Sequence, residues 1–175
     1  CESDGEKVAS YIPDDEQGQY TAVRALLAEG YRRPLCLHLP EGHLATTRRR
    51  QGLERACREA GLDPDGLAHS YMAPGDEHYR DIPSVLLAHI QNGVPRFDAV
   101  ICGNDRIAFM VYQTLLGQGL RIPEDVAVIG YDNMVGIGEL FLPPLTTVQL
   151  PHYEIGRLSA LHIINGEEHL ETTRV

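Results

Sequence analysis

No apolar stretch in this sequence approaches the length needed to cross a bilayer, and its opening Cys1-Glu2-Ser3-Asp4 has neither the basic start nor the apolar run of an export signal. Paired cysteine spacing is also missing. Cys1, Cys36, Cys57 and Cys102 stand far apart, and Cys36 and Cys102 sit inside apolar runs, where a reduced cysteine acts as a small hydrophobe. That pattern excludes a disulfide framework and a cysteine zinc site, and it suits a reducing cytoplasm. Enzyme signatures are absent too: no GxGxxG follows a strand, and there is no GxxxxGK[ST], HExxH or GxSxG. The eight histidines are scattered without metal-ligand pairing on a helix, so neither metal nor cofactor is expected and an enzyme is not the reading. Positive charge is scarce as well. Fifteen Lys plus Arg face 25 Asp plus Glu, a net charge of -10 that repels a phosphate backbone. The one basic cluster, Arg48-Arg49-Arg50, is too short to reverse this, and two of its arginines read as a solvated helix start.

What is present is an ordinary globular composition over 175 residues, 43% hydrophobic and 23% charged, enough for one substantial domain or one domain plus part of another. Short β-like runs alternate with longer helical ones. Val8–Ile12, Leu35–Leu39, Leu67–Met72, Ala99–Cys102, Val126–Ile129 and Thr146–Val148 read as strands. Helices are expected from Asp14-Asp15 to Glu29, after a Thr46 or Thr47 cap to Ala60, over Ile82–Gln91 with Pro83 in the first turn, over Asp105–Leu116, and over His152–Ile164. Asp14-Asp15 reads as acidic residues in a first helical turn rather than as a phosphoacceptor cluster. Residues 133–144 form a Gly- and Pro-rich loop, and Gly166–Val175 a polar tail. Repeated strand–helix order between residues 34 and 131 implies right-handed βαβ units, hence an α/β fold with a mainly parallel sheet and helices on both faces.

Open parallel sheets bind ligands at the carboxyl ends of their strands. The residues that follow the strands here are Glu41-Gly42-His43 with Arg49 soon after, Met72 and Pro74, Gly103-Asn104-Asp105, and Gly130-Tyr131-Asp132-Asn133. Carboxylates, amides and a guanidinium on one rim suit a polyhydroxylated ligand, with Gly103 and Gly130 admitting close backbone approach. Helix capping is the ordinary alternative for Asn and Asp in such places.

Five segments carry a resemblance. Phe97–Ala108 (FDAVICGNDRIA) looks like “DAV…NDxxA”, Ile122–Asn133 (IPEDVAVIGYDN) like “PxDVxVxGxDD/N”, and Pro143–Val148 (PPLTTV) like “PPLTTV”. Leu27–Pro34 (LAEGYRRP) is similar to “LxxxGHRRI” and Arg49–Leu53 (RRQGL) to “RxxGF”. In this order and spacing, over roughly residues 8–165, they resemble the lactose-repressor/galactose-repressor (LacI/GalR) family. The resemblance implies a periplasmic-binding-protein-like (type I) subdomain that senses a small effector and changes operator binding by the intact repressor. It places ligand contacts at Arg49, Asn104 and Asp132, with His43 and Tyr71 as further candidates and Met72 and His152 near the pocket; Asp105 is expected to cap its helix. Residues 1–30 would be the remnant of an N-terminal subdomain, 31–150 the C-terminal effector-binding subdomain, and 151–175 a crossover helix and tail. The DNA-binding headpiece and the family's closing strand lie outside this sequence. The implied partners are a sugar, sugar phosphate or sugar-like effector, with purines or nucleosides open, a second copy in a homodimer, and operator DNA through the headpiece only; no membrane is involved. Helix 152–164 serves a dimer face or ordinary core packing. An exported sugar-binding protein of a transport system is the rival reading, and a dimerisation module with a degenerate pocket a third.

Overall fold

Along residues 99–102 every side chain is buried, alternately on two faces, and that requirement for cover on both sides organises the larger part of the chain. The computed structural model describes residues 9–76, 78–134, 138–166 and 170–175; Cys1, Val8 and the middle of the 133–144 loop lie outside them. In chain order the elements are β1 (Ser10–Ile12), α1 (Asp15–Ala28), β2 (Pro34–His38), α2 (Leu44–Glu59), β3 (Ala68–Tyr71), α3 (Ile82–Ala88), β4 (Ile90–Gln91), β5 (Val94–Pro95), β6 (Ala99–Cys102), α4 (Asp105–Gly117), β7 (Ala127–Asp132), β8 (Thr146–Gln149), α5 (His152–Ile164) and β9 (Thr172–Arg174).

Residues 15–149 form one compact unit. Its sheet runs β3-β2-β6-β7-β8 with every pair parallel. On one face Leu35, Leu37, Val100 and Val128 meet Ile82 and Leu86 of α3 and Ile107, Val111 and Leu115 of α4. On the other, Cys36, Ala99, Ile101, Ala127 and Ile129 meet Val23 and Leu27 of α1 and Leu53, Ala56 and Cys57 of α2. Each such aliphatic side chain contributes about 1.5–3 kcal/mol on full burial, so the two layers hold the sheet between them. Cys36, Cys57 and Cys102 are free and buried; burial pushes the thiols of Cys36 and Cys102 far above their ordinary range.

The chain enters this sheet at β2, moves out to β3, then returns past β2 to β6, β7 and β8. Neighbouring loops therefore leave in opposite directions at the carboxyl ends of β2 and β6. In a doubly wound sheet that switch point is where a crevice opens.

Residues 1–14 and 150–175 form a second unit. Within it β1 pairs in parallel with β9, and the Tyr11 hydroxyl meets Nδ1 of His162 on α5 at 3.3 Å. On α5, Ile155, Leu158 and Leu161 are half-buried while Ile163 and Ile164 are exposed.

Four expectations are corrected. The boundary falls between Asp14 and Asp15 rather than near residue 30, because α1 packs its Val23–Leu27 face onto α2 and the sheet. The polar tail holds β9, whose backbone pairs with β1 irrespective of side-chain polarity. Helix α2 starts at Leu44, behind His43; Thr46 is already in its first turn and donates to the Pro40 carbonyl at 3.0 Å instead of capping. Helix α3 ends at Ala88, and Ile90–Pro95 form a hairpin around Asn92-Gly93, both with positive φ, the signature of a tight hairpin turn.

Candidate functional site

Arg49 lies in the second turn of α2 and is only 8% exposed, directly over the switch point. Its Nε donates to the Asp15 carboxylate at 2.8 Å, and its Nη1 donates to the Gly103 carbonyl at 2.5 Å. Nη2 stands 3.6 Å from the Asp132 carboxylate. The guanidinium carbon lies 3.7 Å from the centre of the Tyr131 ring, a stacked cation–π contact. Each edge of the fork is thus assigned, which a lysine could not reproduce. Burial pushes the Tyr131 phenol up, keeping it protonated under its cation.

Gly103 follows β6 where a Cβ would come within 2.8 Å of the Leu39 backbone nitrogen, so this glycine serves the approach of the chain after β2 to the end of β6. Next to it Asn104 is the N-cap of α4: its side-chain oxygen accepts from Ile107 N–H at 2.9 Å. Its amide nitrogen donates to the Tyr79 hydroxyl at 2.8 Å and has a second proton to offer. Asp132 closes β7 with φ of 109°, a left-handed conformation that is costly for a residue with a Cβ and that clusters at functional sites. Its side chain is partly open, 24% exposed, whereas Arg49 and Asp15 are almost closed off.

Arg49, Asn104 and Asp132, distant in sequence, therefore share one rim. His43 and Tyr71 do not join them. His43 is exposed at the start of α2. Tyr71, beside His38 in the sheet register, stacks on that imidazole at 4.7 Å and accepts a hydrogen bond from Arg50. It lines a separate polar hollow of about 450 Å³ with Glu41, Thr46, Thr47, Arg50 and Glu54. Met72 is buried in the core, and His152 is exposed in the other unit.

Three roles differ from expectation. Asn104 is the cap, while Asp105 turns inward to Thr147 and the Met134 amide. Asp15 is buried and holds Arg49, a long-range pairing that its first-turn position conceals. Arg50 is fixed between Glu54 at 2.8 Å and Tyr71 rather than solvated. Sequence reasoning also missed the His38–His69 pair. The Pro64 carbonyl can only accept, so His69 Nε2 carries a proton and donates to it at 2.8 Å, while His69 Nδ1 and His38 Nε2 share a hydrogen bond, also at 2.8 Å. Burial, with His69 and Arg50 nearby, lowers the His38 pKa to about 4. Among the described residues there is no group of three metal-ligating side chains, and no helix long and apolar enough to cross a membrane.

All of residues 1–175 match the family described as periplasmic binding proteins and sugar binding domain of LacI family. The chain is 57% identical over 175 residues to the sucrose operon repressor of Escherichia coli, covering 100% of this chain and 53% of that protein. It is 35% identical over 164 residues to the HTH-type transcriptional repressor PurR of Vibrio vulnificus, with 90% of this chain and 47% of the relative covered. Among solved structures it is similar to a LacI family transcriptional regulator from Enterococcus faecium with bound ribose, at TM-score 0.82 and 29% identity, covering 99% of this chain and 63% of the other. The chain spans about half the length of the curated relatives it matches. Motif order, sheet topology and these likenesses agree: the chain belongs to the family of periplasmic binding proteins and LacI-type sugar-binding domains.

Proposed function

We propose that this chain is the effector-sensing part of a LacI-type transcriptional repressor and that its effector is a neutral saccharide. The observation that carries this reading is the Arg49–Asp132 pair, at 3.6 Å on the carboxyl rim, with Asn104 beside it. A guanidinium donates to a sugar oxygen, a carboxylate accepts from adjacent hydroxyls, and the Asn104 amide adds a further donor. Asp15 at 2.8 Å and Asp132 at 3.6 Å both face the Arg49 guanidinium, which weakens its pull on a phosphorylated ligand. The name of the sucrose operon repressor points to sucrose or its component monosaccharides as the first ligands to test. His43 and Tyr71 are peripheral members of the proposed set.

In the intact protein the ligand acts by its differential affinity for one of two conformational states, and so shifts operator binding by a headpiece outside residues 1–175. The working form is a cytoplasmic homodimer, and the 15–149 unit is its effector-binding lobe. The repressor reading is preferred to a transport protein because the relative at 57% identity is a repressor.

Calorimetric titration of the full-length protein with sucrose, fructose, glucose and glucose 6-phosphate tests the proposal. A neutral sugar should bind, and Asp132→Ala should weaken it by about 1.5–3 kcal/mol, roughly ten- to over a hundredfold. Tighter binding of the phosphate ester than of glucose, or an affinity that Asp132→Ala leaves unchanged, would overturn it.

A further inference from the structure

Asp105 is the first residue of α4, and none of it is exposed. One carboxylate oxygen accepts from the Thr147 hydroxyl of β8 at 2.6 Å; the other accepts from the backbone N–H of Met134, just past β7, at 2.9 Å. Among the described residues, both hydrogen-bond partners are neutral. A carboxylate so deeply desolvated is costly to maintain without a cation, and its place in the core calls for a reason.

The sequence around it is built to admit it. Gly130 leaves β7 bare at the point where the carboxylate passes: a Cβ there would stand 2.4 Å from the Asp105 oxygen and 2.9 Å from Leu145. Two residues further on, Asp132 and Asn133 both hold positive φ, 109° and 48°. Consecutive left-handed residues that carry side chains persist only where their surroundings fix them. The Met134 N–H held by Asp105 comes immediately after both strained residues, and the Asn133 amide also reaches the Gln149 side chain at 3.4 Å.

We infer that Asp105 is a positioning residue: it clamps the 132–134 turn to α4 and β8 and thereby aims the Asp132 carboxylate at Arg49. The 103–108, 122–133 and 143–148 segments, separate in sequence, meet in this clamp through Asp105, Gly130 and Thr147. Its effect on ligand rests on the function proposed above; its effect on the turn does not.

The test uses full-length protein, with sucrose, fructose and glucose as probes. Asp105→Asn keeps the shape but removes the charge and one of the two acceptors: with its oxygen on the Met134 N–H, its amide can only donate to Thr147, whose hydroxyl must turn from donor to acceptor. It should lower affinity by about tenfold or more in the wild-type background and by less than about twofold in the Asp132→Ala background, since it acts through Asp132. Equal losses in both backgrounds would overturn the inference. Thr147→Val should weaken binding while Thr147→Ser retains it; this pair decides the matter if Asp105→Asn does not fold, and equal behaviour of the two would refute the clamp. Hydrogen exchange of ligand-free protein supplies a readout independent of sugar. Exchange should rise in the peptide containing residues 131–134 of Asp105→Asn or Thr147→Val and stay unchanged in α1. If the wild type takes up none of the three sugars, the ligand proposal fails for them. An unmoved 131–134 peptide would separately end the clamp.

Discussion

Replacing Arg49 by Met separates what this residue does for stability from its proposed part in ligand binding. Methionine fills the aliphatic path of the side chain but leaves the Asp15 carboxylate, 5% exposed, without its cation at 2.8 Å. Breaking a buried pair from one side costs about 3–5 kcal/mol, because an uncompensated charge stays inside. The Gly103 carbonyl loses its donor and the Tyr131 ring its stacked cation, so the upper part of that range applies. Against a typical total stability of about 5–15 kcal/mol, this is a third or more of what holds the unit folded. Asp15→Asn in the same protein removes the stranded charge. The double variant should regain most of the lost stability, while neither variant regains sugar binding. Urea unfolding followed by circular dichroism, with linear extrapolation, gives the stability differences, and titration calorimetry gives affinity. A loss below about 1 kcal/mol for Arg49→Met, or a double variant no more stable than the single, would refute the argument that Asp15 is carried in the core by Arg49.

Two further outcomes follow from the same packing. Gly52→Ala should cost about 1–3 kcal/mol by overpacking, because its Cβ would come within 2.1 Å of the Glu16 carbonyl oxygen on α1; a melting temperature within about 1 °C of wild type would contradict this. His38 is held neutral, its pKa lowered from 6.5 to about 4, chiefly by burial, so the unfolded chain binds more protons than the folded one between those values. Stability should therefore fall as pH drops from 6.5 towards 4, by up to about 3 kcal/mol, and His38→Gln should flatten that slope; identical slopes for both proteins would refute it.

The order of elements was legible because short apolar runs and amphipathic stretches alternate so regularly; α5 and β6 occupy the segments that their patterns indicate. Arg49, Asn104 and Asp132 were legible as residues just beyond strand ends or in the following helix, and topology then brings such places together. What failed was the assignment of jobs within a motif. Asn104 and Asp105 are adjacent, and either can cap a helix; which one does depends on Thr147 and Met134, far along the chain, offering the other a better partner. Asp15 was hidden for the same reason, since acidic residues are usual in a first turn and its cation is 34 residues away. β9 left no trace because an edge pairing is made by the backbone. The hairpin at Asn92-Gly93 did leave one, overlooked because the apolar pattern of α3 runs on into Ile90.

The same three charges that stabilise the rim also bear on what it can recognise. Arg49 inside the protein would be an unfavourable isolated charge, and Asp15 removes most of that cost from behind. Once so neutralised, the guanidinium keeps its directional N–H groups but has little net field to attract an anion. Asp132 then adds a negative charge on the side that remains open. A phosphate placed near enough to bond Arg49 would also lie near that carboxylate. Like charges about 4 Å apart repel by about 1–4 kcal/mol at effective dielectric constants of about 80 to 20. A hydroxyl meets no such opposition, because it can accept from Arg49 and donate to Asp132. The proposed preference for neutral, hydroxyl-rich ligands thus rests on how the arginine is kept in the fold, and Asp132→Asn, which removes the open carboxylate charge, should narrow the gap between glucose and glucose 6-phosphate in the same titration.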